Sequence, residues 1–267
     1  MASAAALTLV DEQGWRRGFA NLFRQENGQW WRTRRWWVQT VLWLVAINGP
    51  LAAGLWLVPV LFGVTGESAG YRELFAQMMA WWPMFGVIIL TQDSIVGEKQ
   101  AGTAAWILSG PVSRPAFVLA KLAGNALGFL VTLILLQGVV AYAQLSLWEG
   151  RWLSPAPFAT ALALSSLYLL FYLTLTLALG TFFASRGPVL GIALGIALLS
   201  MNELGRFLAA LAGWTAPLLP EALPALAESK LLAQPLPTAW PVSLAALSLY
   251  IGVALVLAIW RFNREEF

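Results

Sequence analysis

Six apolar runs, at residues 37–62, 74–96, 117–147, 158–184, 188–201 and 241–260, constrain this chain more than any other feature of its sequence. A bilayer core about 30 Å thick is crossed by roughly 20 consecutive apolar residues in an α-helix. The runs take up most of the 267 residues, and only 11% of the chain is charged. A soluble domain carries about 25% charged residues and could not cover its surface with so few. The expectation is an all-α polytopic membrane protein with six transmembrane helices. It divides into a cytoplasmic N-terminal segment (1–36) with an amphipathic interfacial helix, a six-span domain (37–260) and a cytoplasmic tail (261–267). What lies between the runs is too short and scattered for a second, soluble domain.

The sequence contains no cysteine and no histidine. That removes disulfides, thiolate chemistry and the commonest general base and metal ligand. No catalytic, cofactor-binding or metal-binding residues are expected in the chain. A net charge of +3 is read as basic membrane flanks rather than as a nucleic-acid surface.

Positive charge orients the spans. The first run follows Arg16, Arg17, Arg24, Arg32, Arg34 and Arg35, so it reads as an uncleaved span and not as a secretory signal. With that end inside, Lys99, Arg114, Lys121, Arg186, Arg261 and Arg264 are also cytoplasmic, and only Arg72, Arg151, Arg206 and Lys230 lie outside. Both termini are expected in the cytoplasm, in a multi-pass protein of the cell (inner) membrane. Trp30, Trp31, Trp36, Trp37 and Trp260 would mark the inner interface, and Trp56, Trp148, Trp152 and Trp240 the outer one.

The fifth run is short for a span. Asn202, Glu203 and Arg206 follow it, then a second apolar stretch at 207–219 broken by Pro217, Pro220 and Pro224. Two readings stand for 202–240: an extracellular re-entrant hairpin dipping into the outer leaflet, or a longer simple span with a Glu203–Arg206 pair at helical spacing.

Two segments point to interaction. Residues 14–37 are amphipathic and rich in Arg and Trp, which suits a helix lying in the membrane interface. The loop 97–116 is expected to hold a short helix over residues 98–108, ended by Gly110-Pro111. Held between two spans, that helix is a handle. Ala105, Trp106 and Leu108 either fill a pocket on a soluble partner or rest among lipid headgroups.

Within this loop Glu98-Lys99, Gly102-Thr103, Leu108-Ser109, Pro111-Val112-Ser113-Arg114 and Lys121 stand at fixed spacing. The pattern resembles that of type-2 ABC exporter permeases, the six-span membrane subunits of ATP-binding-cassette transporters with the type V exporter fold. Phe23-Arg24-Gln25-Glu26 and Arg32-Thr33-Arg34-Arg35 are similar to that family's N-terminal elbow helix, and the order of spans agrees. The resemblance implies that 98–108 is a coupling helix docking on a separate nucleotide-binding subunit. Glu98 would face that subunit or the elbow helix, Gly102 and Thr103 would permit close docking, and Arg114 and Lys121 would anchor the start of the third span. The sequence departs from the family at Lys99-Gln100-Ala101, which leaves the salt-bridge partners open. No phosphate-binding loop occurs in the chain, so ATP and Mg would belong to the partner ATPase, and the chain is not itself an enzyme. A second permease copy, or a homologous permease, would complete the complex.

Elsewhere Ser165, Tyr168, Tyr172 and Thr176 share one face of the fourth run. They either line a translocation cavity or serve helix packing. Gly187, Gly191 and Gly195 form a ladder suited to close helix approach, and so to a dimer contact. Asn48, Gln77, Gln92 and Gln137 are polar groups in or near spans, and Asp93 is expected to pair with Lys99 or Lys121. The function expected is ATP-driven export of an amphipathic or lipid-like substrate. The alternative is a non-transporting membrane scaffold that docks a soluble partner through loop 97–116. An intramembrane enzyme would need a constellation of acids, His or Cys that the sequence lacks.

Overall fold

The computed structural model describes residues 12–64, 66–201, 207, 210 and 213–266. Glu203 and Arg206, and with them the choice between the two readings of that stretch, lie outside the described residues. The described chain is helical and contains no strand. An interfacial helix α1 (Phe19–Trp31) leads into α2 (Arg35–Phe62) and α3 (Ser68–Thr91). Two short helices, α4 (Val96–Gln100) and α5 (Thr103–Leu108), precede the long α6 (Arg114–Trp148). Then come α7 (Pro155–Phe182), α8 (Arg186–Met201), a 3-10 turn at Gly213–Leu218, α9 (Ala222–Leu231) and α10 (Trp240–Asn263). Among the described residues, five helices are long and apolar enough to cross a membrane: α2, α3 with its extension to Gln100, α6, α7 and α10. The helix α8 is apolar but shorter.

The helix α7 is the hub, packing against α3, α6, α8, α9 and α10. Its apolar residues fall on every side, which suits a helix surrounded by others. Leu169, Tyr172, Leu173 and Thr176 are fully buried along it. The outer helices instead expose Val45, Val60, Phe62, Val139, Leu249 and Val256. An apolar surface of that extent is compatible with lipid and not with water.

Two prolines shape α2. The Pro ring clashes with the carbonyl four residues earlier and supplies no N–H. Pro50 follows a widened π turn at Leu44–Asn48, and Pro59 follows a second at Ala53–Leu57. Each π turn brings in the residue whose carbonyl would meet the ring, so the helix continues through both. A third π turn in α6, Leu130–Leu135, has a different support. Gln137 Nε2 donates to the Thr132 carbonyl at 2.8 Å, and Asn48 Nδ2 donates to Gln137 Oε1 at 2.9 Å. Both amide side chains are buried. The pair ties α2 to α6 at the height of their irregular turns, where an unsatisfied carbonyl in hydrocarbon would cost several kcal/mol.

The two ends of the bundle differ in charge. At one, Arg72 pairs with Glu149 and donates to the Leu231 carbonyl, while Ser68 and Arg151 also bond Glu149. Burial alone would raise the Glu149 carboxyl, but hydrogen bonds from Ser68 and Arg72 and the charges of Arg72 and Arg151 hold it below the usual carboxylate range. At the other, basic end, the N-terminal segment, the 92–113 loop and the C-terminal residues meet. Ser113 Oγ donates to the Trp15 carbonyl at 2.6 Å, and Lys99 pairs with Glu265 at 2.7 Å.

Docking of α1 depends on two glycines. A Cβ on Gly124 would lie 2.6 Å from Glu26, and one on Gly128 would lie 2.3 Å from the Trp30 ring. Trp30 is thereby 1% exposed, stacked edge-on against Phe129 and under the Arg35 guanidinium. It is a packing residue and not the interfacial marker its neighbours suggested. We expect Gly128→Leu to destabilise the purified protein by about 1–3 kcal/mol, the usual cost of overpacking. A thermal melt in detergent unchanged from wild type would refute this docking.

Candidate functional site

The candidate site is built on the loop that joins α3 to α6. The chain leaves α3 at Thr91, turns, and re-forms one helical turn as α4. The single helix expected over 98–108 is broken here. Ala101 N–H donates to Gly97 O at 2.9 Å and Gly102 N–H to Lys99 O at 3.2 Å, closing α4. Gly102 then takes φ +69°, the left-handed conformation that ends helices and that glycine adopts without strain. A new helix, α5, starts at Thr103. Ala104 is its buried side, and Leu108 packs partly buried against the core. Trp106 points away, 77% exposed.

The base of this handle is tied to five other segments. Glu98 Oε1 meets Lys121 Nζ at 2.5 Å, and the same ammonium meets Glu26 Oε1 of α1 at 2.9 Å. The Lys121 side chain is 5% exposed and lies between the two carboxylates, the pairing that a buried ammonium requires. Lys99 bonds the Thr181 carbonyl at 3.3 Å as well as Glu265, and Gln100 bonds the Ala184 carbonyl at 2.8 Å. Asp93 pairs with Arg186 at 2.6 Å. Ser113 N-caps α6 and donates its N–H to the Arg17 carbonyl at 2.9 Å. Acids and bases alternate around a polar cavity of about 380 Å³ lined by Glu26, Arg35, Asp93, Glu98, Lys121 and Arg186. Displacing α5 therefore pulls on α1, α6, the end of α7 and the C-terminal tail together.

Several expected roles change in this light. Glu98 turns inward to Lys121 beside Glu26 of α1, the second of the two orientations expected for it. Arg114 donates to the Phe262 and Asn263 carbonyls. It caps the C-terminus of α10, where a cation suits the helix dipole, and is not part of a docking surface. Asp93 pairs with Arg186 in place of Lys99 or Lys121. Gly102, Thr103 and Trp106 are the members of the expected coupling set that stand exposed. Neither the Gly124–Gly128 groove nor Glu26 as second partner of Lys121 was singled out from the sequence. The four-residue glycine spacing was legible there, whereas the ion pair spans 95 residues.

The stripe on α7 does not line one cavity. Thr176 donates its hydroxyl to the Tyr172 carbonyl within its own helix at 2.7 Å, and Ser165 and Tyr172 are buried in helix packing. Tyr168 alone of the four borders a separate cavity of about 760 Å³ between α3, α7, α9 and α10. The glycine ladder of α8 faces away from its own subunit: a Cβ at Gly187, Gly191 or Gly195 would meet nothing within 4 Å. It is Val189, Ala193 and Ala197 that α8 buries against the bundle.

The helical bundle with its tethered loop defines a polytopic, all-helical class of protein with five candidate spans. Residues 60–267 match the family described as "Protein of unknown function (DUF2705)", and the chain belongs to that family. No curated protein matches the chain.

Removing the ammonium from this cluster leaves two carboxylates facing each other in a shielded site. We expect Lys121→Met to cost about 3–5 kcal/mol. Adding Glu26→Gln and Glu98→Gln to it should return most of the loss, because no unpaired charge then remains. Denaturant or thermal unfolding of the single and triple variants checks this, and equal stability of the two would refute the buried triad.

Proposed function

We propose that the chain is the permease subunit of an ATP-binding-cassette exporter and that α5 is its coupling helix. The observation that carries this reading is the arrangement of the 92–113 loop. A short helix with an exposed Trp106 stands on a base tied by charge and hydrogen bonds to the elbow helix, three spans and the tail. A soluble subunit that moves such a handle moves the bundle. The resemblance of Glu98-Lys99, Gly102-Thr103 and Pro111-Val112-Ser113-Arg114 to the exporter permeases supports the same reading.

Six crossings follow from this proposal with both termini in the cytoplasm. The N-terminal segment and the tail gather at one end, whereas five crossings would place them at opposite ends. The sixth crossing falls to α8, whose 16 residues reach about 24 Å. The basic end is read as the cytoplasmic one by the positive-inside rule, and the membrane as the cell membrane. ATP and Mg are held by the partner ATPase. The outward-facing ladder at Gly187, Gly191 and Gly195 is the contact with a second permease, and the cargo is amphipathic.

The test is purification from native membranes together with the ATP-hydrolysing subunit, followed by ATPase and export measurements in proteoliposomes. Trp106→Glu and Gly102→Trp change only exposed positions. Trp106→Glu should leave the melting temperature within about 2 °C, since surface changes usually stay within ±0.5 kcal/mol, whereas Gly102→Trp puts a side chain at φ +69° and should cost about 1–2 kcal/mol of stability. Retention of the ATPase subunit should fall about tenfold, on the order of 1.4 kcal/mol. Normal retention and normal nucleotide-driven export in both variants would remove the coupling assignment. Retention without any export would favour the scaffold.

The dimer contact has its own test. Helices that pack through small residues separate when bulk is inserted, because lipid gives no hydrophobic drive to hold them. Gly191→Ile should leave the single subunit folded and reduce dimer recovery in detergent several-fold. A dimer fraction equal to wild type, measured by mass photometry, would place the contact elsewhere.

A further inference from the structure

The cavity between α3, α7, α9 and α10 is mostly apolar, yet it holds an acid with no cationic partner among the described residues. Both carboxylate oxygens of Glu221 are shielded, and neither has a hydrogen-bond partner among the described residues. Tyr168 of α7 and Ser200 of α8 are its neutral polar neighbours, with their hydroxyls directed to Met84 Sδ and the Ile196 carbonyl. Gln77 of α3 and Ser243 of α10 add neutral polar groups, and Glu228 of α9 adds a second carboxylate. No Lys or Arg lines the cavity among the described residues. Ala76, Ala80, Pro217 and Leu219 form an apolar wall, and Trp81 and Trp240 stand half-exposed at its margin.

We propose that this cavity binds an amphiphile carrying a protonated amine, its ammonium on Glu221 and its apolar body along the α3 wall. The charge argument is direct. A shielded carboxylate is costly without a cation, and the described lining supplies only acids and neutral groups. Aromatic rings at the margin add attraction for a cation. About 760 Å³ lies in the usual range for a small-molecule site, roughly 300–1,000 Å³. Burial pushes the Glu221 carboxyl up to about 7, and the titratable groups that face it are Tyr168, Tyr172 and Glu228. None of these is a base, and the described lining leaves the positive charge to the ligand. As a statement of cargo class the proposal rests on the export reading. As a binding site it is tested on the chain without its ATPase.

The experiment uses the purified full chain in phosphatidylcholine nanodiscs and dansylcadaverine as the probe, read by energy transfer from tryptophan. Saturable transfer above that of empty nanodiscs is expected. Glu221→Gln should weaken it about tenfold, the scale of one removed charge-assisted contact. An N-acetylated, uncharged form of the probe should bind weakly and equally to wild type and variant. Wild-type affinity should rise about tenfold from pH 5.5 to pH 8 as the carboxyl ionises, the amine staying protonated throughout, and the Glu221→Gln profile should be flat. Ala80→Trp fills the cavity from α3 and leaves the carboxyl intact, so it should abolish saturable binding even if Glu221→Gln fails to fold. Affinity within twofold of wild type in Glu221→Gln or Ala80→Trp, equal binding of the acetylated probe, or transfer no greater than in empty nanodiscs would overturn the site. Binding that is retained in a chain with no nucleotide-driven export would sink the export reading and leave the site standing.

Discussion

A lysine ammonium enclosed by two carboxylates fixes the basic end of this molecule. The Lys121 side chain is 5% exposed, and burying an ammonium without partners is costly. Glu26 and Glu98 meet it from α1 and α4, 95 and 23 residues earlier in the chain. That pairing brings the elbow helix down onto α6 and holds the root of the 92–113 loop at the same point. The surrounding pairs, Asp93 with Arg186 and Lys99 with Glu265, extend the tie to α8 and to the C-terminal tail. An isolated exposed ion pair contributes little. A shielded cluster acts differently, because removing any one member strands the others.

The same logic recurs in the apolar interior with amides in place of charges. Helices in hydrocarbon gain nothing from hydrophobic association, so close contact and internal hydrogen bonds hold them. The Asn48–Gln137 pair closes the carbonyl freed by the π turn of α6 and joins α2 to α6. Prolines that would break a soluble helix are absorbed in α2 by π turns one turn upstream. The irregularities are thus placed where a partner satisfies them, which keeps the long helices continuous across the apolar region.

The exposed parts of the structure are as specific as the buried ones. Among the described residues, a Trp on a six-residue helix, a glycine ladder with open space beside it, and a mostly apolar cavity holding acids without a counter-charge are each left without a complement. The three gaps call for different complements: a soluble surface, a second helix and a cation. An exporter permease needs all three, as ATPase subunit, twin permease and cargo, and it is this coincidence that gives the proposed function its economy.

The helical class, the long apolar helices and the gathering of basic residues at one end were legible in the sequence, because twenty apolar residues in a row and the placement of arginines are local properties. Helix limits came within a few residues for the same reason, with Arg114, Pro155 and Trp240 starting helices close to the limits read from composition. Between the two readings of the hydroxyl stripe on α7, periodicity could not choose, because a helix surrounded on all sides buries every face. The two glycine ladders look alike in sequence, at 124 and 128 and at 187, 191 and 195. Only the tertiary structure decided that the first holds α1 and the second faces outward, since spacing says how close a helix can come and not which helix comes. The partners of Lys121, Asp93 and Arg114 were likewise decided in three dimensions. Charge pairing across 95 residues depends on where the bundle brings its ends together, and packing of the apolar helices sets that meeting point.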